Sequence, residues 1–66
     1  MAVYSVIILA DTMERATQLG AMDLDLHTRA ARRRPDTGQI AVPAILDDAE
    51  IQRVRAAGYV IEIQQD

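Results

Sequence analysis

The chain has 66 residues, of which half are apolar and none is cysteine, and its formal net charge is −3. This length predicts one small domain (residues 1–66), the apolar content argues against disorder, and the absence of cysteine excludes a disulfide framework and a thiolate metal site. The negative charge argues against a general nucleic-acid binder. With no signal peptide and no apolar run of membrane-spanning length, we expect no membrane contact and a cytoplasmic protein, or a domain cut from a larger chain.

The first predicted strand covers residues 2–9 and is apolar on both faces. One face carries Val3, Ser5, Ile7 and Leu9, and the other carries Tyr4, Val6 and Ile8. Its β-branched content favours a central position in a sheet.

A helix is predicted to follow this strand. Asp11 and Glu14 have the spacing of a capping box, which marks the start of a helix. Gly20 is its predicted end, and its buried stripe is predicted to consist of Met13, Ala16 and Leu19.

Two interpretations compete for residues 22–34. Apolar and polar residues alternate from Met22 to Arg29, the pattern of an amphipathic strand. Helical spacing also occurs, at Leu19, Met22, Leu26 and Ala30, and would continue the first helix to Arg34. Gly20 and the strict alternation favour the strand. Residues 35–38 (PDTG) then predict a turn, because proline presets φ and glycine tolerates a left-handed conformation.

The third predicted strand covers residues 39–46 and again has two apolar faces. We expect Ile40, Val42, Ala44 and Leu46 to face the core, and Ala41, Pro43 and Ile45 to face outward. Proline removes a ladder hydrogen bond, so Pro43 requires a bulge or a position beyond the end of the neighbouring strand.

Residues 45–63 predict a capped helix followed by a strand. Asp47 and Glu50 form a capping box, and Gly58 suits the left-handed position after the helix. The predicted buried stripe consists of Ile51, Val54 and Ala57. Tyr59, Ile61 and Ile63 then alternate with Val60, Glu62 and Gln64, as in a half-buried strand.

The two halves of the chain repeat the order strand, capped helix, glycine, amphipathic strand. A doubled unit of this kind predicts an α+β fold with the ferredoxin-like βαββαβ plan, a four-stranded antiparallel sheet with two helices on one face. That plan places the first and third strands at the centre, in agreement with their two apolar faces.

The sheet face opposite the helices would be open and apolar, which favours association. We expect it to bind another protein or a second copy through Tyr4, Val6, Ile8, Ala41, Pro43, Ile45 and Val60. Arg29, Arg32, Arg33 and Arg34 would contact an anionic group or the partner, since arginine matches carboxylates bidentately. Tyr4 is the one aromatic residue expected there, so base stacking and nucleic-acid binding are not predicted.

Asp23, Asp25 and His27 share the polar side of one predicted strand. Two carboxylates and an imidazole suit a divalent metal, and a metal-dependent enzyme on these residues is the least favoured hypothesis. The preferred interpretation is a solvated edge strand that deters aggregation. We therefore expect no catalytic residue, no metal, no cofactor and no enzymatic activity.

The stretch LDDAEIQRVRAAGYVIEI (residues 46–63) resembles the closing helix and strand of small ferredoxin-like protease prodomains. Similar segments occur in subtilisin-type propeptides, in their stand-alone inhibitor relatives, and in small domains that accompany some bacterial zinc carboxypeptidases. The resemblance implies a non-enzymatic docking domain whose open face packs on a protease, with Gln64, Gln65 and Asp66 entering the substrate cleft. The alternative hypothesis is a self-associating regulatory or effector-binding module, a homo-oligomer.

Overall fold

The described residues form one antiparallel sheet and two α-helices. A computed structural model describes residues 2–22 and 24–64. The elements are β1 (Val3–Ala10), α1 (Met13–Gly20), β2 (Asp25–Leu26), a 3-10 helix (Thr28–Ala30), β3 (Arg32–Arg33), β4 (Ile40–Asp47), α2 (Asp48–Ala56) and β5 (Val60–Gln64). The strand order is β2-β4-β1-β5, and β3 also pairs with β4. The predicted α+β class is confirmed, with five strands rather than four. Neither helix in the described ranges has the length and apolar character required to cross a membrane.

The two strands with two apolar faces lie at the centre of the sheet, as predicted. β1 pairs with β4 along its whole length, from Val3 opposite Asp47 to Ala10 opposite Ile40. Its other edge pairs with β5, where Ile8 lies opposite Ile61. Strands that are buried between neighbours on both edges favour this β-branched composition.

The core lies on one face of the sheet, under both helices. Directly opposite residues in an antiparallel pair point to the same face. Buried side chains of this helix-covered face are Val6, Ile8 and Ala10 from β1, Ile40, Val42, Ala44 and Leu46 from β4, and Ile61 from β5. α1 adds Leu19 to the same cluster, and α2 adds Ile51 and Val54. The predicted core face of β4 is therefore confirmed.

The residues of β1 that were predicted to lie on the open face lie on the helix-covered face instead. Val6 is 1% exposed, Ile8 is not exposed, and Tyr4 is partly buried against the core, so these three residues do not lie on the open face. Their register explains the correction, because Tyr4 lies opposite Leu46 and is thus on the face of the core residues of β4. Both faces of β1 are apolar, so alternation alone could not choose between them.

The caps of α2 agree with the prediction. The Asp47 carboxylate accepts from the Glu50 amide at 2.8 Å, and the Glu50 carboxylate accepts from the Asp47 amide at 3.0 Å. At the other end, Gly58 has φ 96° and its amide donates to the Arg55 carbonyl at 2.9 Å. The Tyr59 amide donates to the Val54 carbonyl at 3.4 Å, which completes a Schellman motif.

The start of α1 differs from the prediction. Thr12, not Asp11, is the N-cap, and its Oγ1 accepts from the Arg15 amide at 3.2 Å. Asp11 instead accepts from the Gln39 side-chain amide at 3.1 Å, across the end of the β1–β4 pair. The predicted Asp11–Glu14 capping box is therefore wrong. The local sequence could not indicate this, because the partner of Asp11 is distant in the chain.

The predicted buried stripes of both helices are shorter than expected. Leu19 is buried and Ala16 packs against the core, but Met13, in the first turn of α1, is 61% exposed. Ala57 is likewise exposed, because it is the C-cap of α2, where the chain is already turning toward β5. α1 does end at Gly20 as predicted, with Ala21 as its C-cap.

The edge beside β4 is divided into two short strands: β2 covers only Asp25–Leu26 of the strand predicted over residues 22–29, and β3, at Arg32–Arg33, lies beyond that range. β2 ends at Leu26 opposite Ala44, and β3 begins at Arg32 opposite Ala41. β4 therefore advances by three residues while its partner advances by six, and the excess is taken up by the 3-10 helix. The alternative of a long first helix is wrong, and Asp23 lies outside the described residues.

Pro43 lies where this division begins. The His27 amide donates to the Pro43 carbonyl at 2.8 Å, so the backbone polar groups of Pro43 face β2 rather than β1. Since proline has no N–H, the reciprocal bond to His27 cannot form, and the His27 carbonyl accepts from the Ala30 amide at 3.0 Å. The proline is tolerated in a central strand because it lies just beyond the end of β2, one of the two solutions expected.

Hydrogen bonds and a cation–π contact between Arg15 and Tyr59 and its neighbours join α1 to the turn between α2 and β5. The Tyr59 hydroxyl donates to the Arg15 carbonyl at 2.7 Å, and Arg15 Nη2 donates to the Ala57 carbonyl at 2.8 Å. The Arg15 guanidinium carbon lies 4.4 Å from the centre of the Tyr59 ring, a cation–π contact. These bonds satisfy the polar groups of a buried tyrosine and fix the two halves of the repeat against each other.

Candidate functional site

The sheet face opposite the helices carries several of the predicted site residues. We call it the open face; its side chains are Val3, Ser5, Ile7, Leu9, Ala41, Pro43, Ile45, Val60, Glu62 and Gln64, by their register in β1, β4 and β5. Val3 and Val60 are 64% and 55% exposed, and Ile7, Pro43 and Ile45 are partly buried. Of the seven residues predicted to form a partner site, the structure therefore brings together four, which are Ala41, Pro43, Ile45 and Val60.

A salt bridge crosses the open face. Arg34 Nη2 lies 2.6 Å from Glu62 Oε1, and Arg34 Nη1 donates to Glu62 Oε2 at 3.1 Å. Arg34 lies beside β4, where its amide donates to the Gln39 carbonyl, whereas Glu62 is on β5 at the far side of β1. The pair therefore spans both central strands. Leu9 and Ala41 lie on the face that it crosses and are only 6% and 9% exposed.

The salt bridge shifts the ionisation of both groups. The bidentate hydrogen bond from Arg34 is the main cause that lowers the pKa of Glu62 below its ordinary value of 4.5, and burial acts in the opposite direction. The same hydrogen bond raises the pKa of Arg34. Both groups remain charged at neutral pH, so the open face carries a fixed ion pair over an apolar surface.

The arginine cluster is distributed over different parts of the sheet edge. Arg29 lies in the 3-10 helix, and Arg32 is opposite Ala41, which places it on the side of the open face. Arg33 is opposite Ile40, on the helix-covered side, and Arg34 is engaged with Glu62. Alternation along β3 thus prevents the four residues from acting as one anion site.

A groove lies on the other side of the sheet, between α1 and the divided edge. Its volume is about 420 Å³, and Ile40 and Val42 form its buried floor. One wall is α1, and the other is the 3-10 helix with β3, including Arg33. Sequence reasoning did not find this groove, although Pro43 was the available signal, because it marks the point at which the edge strand separates from β4.

The hypothetical metal site has little support from the geometry. Asp25 is exposed in β2 opposite Ile45, and His27 is exposed beside Pro43. Within residues 2–22 and 24–64, no group of three or more histidine, aspartate or glutamate side chains is arranged to hold a metal ion. Asp23, the third predicted ligand, lies outside that part of the chain.

No family model matches the chain, and comparisons with curated proteins and with solved structures find no significant match.

Proposed function

We propose that the chain is a ferredoxin-like interaction domain without enzymatic activity, in which the second strand of the βαββαβ plan is divided. The strand order supports this topology, since β2 and β3 together occupy one edge beside β4, and β5 occupies the other edge beside β1. Each crossover, through α1 or α2, then connects an edge position to a central one with a single strand between them.

The proposed activity is docking of another protein on the open face. The observation that carries it is the apolar row formed by Ile7, Pro43 and Ile45 between the two exposed valines, Val3 and Val60. Both helices pack on the opposite side, and no segment in the described ranges covers this row. An apolar face that is left uncovered in this way supports a docking role, because contiguous exposed apolar patches are more typical of interaction sites than of free surface.

The charges on the open face support orientation of the partner rather than affinity. Glu62 and Arg34 neutralise each other, so the centre of the face has no unpaired charge that docking would have to desolvate. Asp25 and Arg32 lie at the edge on β2 and β3, where charges stay in contact with water. Such rim charges select the encounter geometry and suppress wrong partners.

The partner class follows from the resemblance of residues 46–63 to protease prodomains. We propose a protease-like globular partner, with the protein acting as a chaperone or inhibitor of it in the cytoplasm. Gln65 and Asp66, which the tail-in-cleft mechanism requires, lie outside the described residues, so the proposal concerns docking through the open face.

The proposal is tested by measuring partner binding of variants that carry single substitutions on the open face. Crosslinking in native extract should capture a discrete partner with the wild-type chain, and Val60→Asp or Ile45→Asp should reduce its binding at least tenfold with purified components. Met13→Asp is the matched control, because Met13 is 61% exposed but belongs to α1 on the other side. Undiminished binding by both open-face variants, at unchanged circular dichroism, would contradict docking through this face.

Self-association is a second candidate, favoured by the free edge of β5. β5 pairs with β1 along one edge, and its exposed Val60 and Ile63 flank that free edge at 55% and 42% exposure. Two copies could join their sheets edge to edge, as exposed strands do. Light scattering at micromolar concentration distinguishes the candidates, since a strict monomer excludes this one and leaves the heterologous partner.

A further inference from the structure

The groove beside α1 arises from the divided edge strand. A continuous second strand would pair with β4 through Val42 and Ala41 and would lie below α1. After His27 the chain no longer pairs with β4, because the three excess residues form the 3-10 helix. Pairing with β4 resumes only at Arg32, in β3. The result is a concave site of about 420 Å³, within the size range of small-molecule pockets.

The surface of the groove is mostly apolar. Ile40 and Val42 lie at its floor with exposures of 5% and 3%, and Ala31 packs against the same cluster. α1 contributes a stripe at helical spacing, formed by Met13, Ala16, Thr17 and Gly20. Ala16 packs against the core, but Met13 is exposed, so the Met13 end of this wall has no apolar partner within the described part of the chain.

The charge of the groove is positive, in contrast to the net charge of the protein. Among the described residues its lining includes no acidic residue, and of its two arginines, Arg32 and Arg33, only Arg33 lies on the groove side of the sheet, because Arg32 is opposite Ala41. Arg33 shares the side of Ile40, and within residues 2–22 and 24–64 it forms no salt bridge. An arginine at the edge of an apolar groove matches a ligand with one carboxylate and a hydrocarbon body.

We propose that this groove binds a small amphipathic carboxylate. The hydrocarbon part would lie on Ile40 and Val42, against Met13 and Ala16, and the carboxylate would accept hydrogen bonds from Arg33. Binding requires no covalent step. The site lies on the opposite side of the sheet from the open face, so it is independent of the proposed docking activity.

Octanoate is a suitable probe, and its binding to the complete chain can be measured by calorimetry and by amide chemical shifts. We expect saturable binding, with shifts concentrated in α1, the 3-10 helix and β3. Octanol should bind at least tenfold more weakly, since it lacks the charge that Arg33 recognises, and Arg33→Gln should weaken octanoate binding about tenfold, the effect of one charge-assisted hydrogen bond. Arg55→Gln is the matched control, because Arg55 is an exposed arginine on α2 away from the groove.

A second pair of variants tests the apolar part without disturbing the fold. A Cβ atom at Gly20 would meet no atom within 4 Å, and its backbone is right-handed helical. Gly20→Trp should therefore fill the groove and abolish octanoate binding, whereas Gln18→Trp, at an exposed position of α1 outside the groove lining, should retain it. Equal binding by Arg33→Gln and the wild type, full binding by Gly20→Trp, or equally tight binding of inorganic phosphate would each overturn the proposal.

Discussion

Pro43 accepts a hydrogen bond from the His27 amide at 2.8 Å, and as a proline it returns none. This residue pair has one backbone hydrogen bond instead of two, and β2 ends before it. The His27 carbonyl accepts from the Ala30 amide of the 3-10 helix instead. When pairing with β4 resumes at Arg32, the register of the edge has shifted by three residues. A residue that is unfavourable for a central strand thus determines the shape of the neighbouring edge. The groove beside α1 is its structural consequence.

Replacing the proline should restore the missing bond. In Pro43→Val the new amide faces the His27 carbonyl, so we expect it to exchange slowly with solvent. The free energy of unfolding should change by less than about 1 kcal/mol, because the added hydrogen bond is offset by the greater freedom of the unfolded chain. Hydrogen exchange measures the effect, with the Val42 amide, which faces β1, as the internal reference. A fast-exchanging amide at position 43 would refute this account.

The two glycines that end the helices should respond in opposite directions to alanine. Gly58→Ala should lower the free energy of unfolding by about 1–2 kcal/mol, since φ is 96° and the added Cβ lies 3.0 Å from Arg15 Nη2. Gly20→Ala should raise it by about 0.5–1 kcal/mol, because the helical backbone already suits alanine. Urea denaturation of both variants is the measurement. Similar effects at both positions would contradict the assigned conformations.

The cap of α1 can be assigned by two matched substitutions. Thr12→Ala removes the bond to the Arg15 amide and should cost about 1 kcal/mol of stability. Asp11→Ala removes an exposed bond to Gln39 and should cost less than about 0.5 kcal/mol. Thermal or urea unfolding compares them directly. A larger loss for Asp11→Ala would restore the capping box that the sequence suggested.

The salt bridge on the open face should make stability depend on acid pH. The pKa of Glu62 is lowered in the folded protein, so its contribution is complete above the ordinary value of 4.5 and is lost as pH falls through the lowered pKa. Glu62→Gln should therefore be less stable than the wild type at neutral pH, and the difference should disappear in acid. Unfolding curves from pH 7 to pH 2 test this, with Glu14→Gln as an exposed control. High salt should reduce the difference, since both groups are partly exposed.

Local patterns in the sequence were sufficient where both partners of an interaction are close in the chain. The Asp47–Glu50 box and the left-handed Gly58 were correct because caps and Schellman motifs are formed within one or two turns. The central positions of β1 and β4 were also correct, since a strand that is buried on both faces must be apolar on both.

Interactions between distant residues were decided by the tertiary structure. Asp11 binds Gln39 instead of capping α1, and Arg34 crosses the sheet to Glu62 instead of joining its neighbours in a cluster. The face of β1 that meets the helices depends on the register of β1 with β4. The alternation of side chains along β1 does not predict that register, because both of its faces are apolar.

The sequence by itself therefore determined the helices, the central strands and the α+β class, because these depend on periodicity and on short-range hydrogen bonds. The tertiary structure decided which side chains form the open face and where the groove lies. Both depend on pairing across the sheet, where one missing donor at Pro43 alters a partner strand sixteen residues earlier in the chain, at His27.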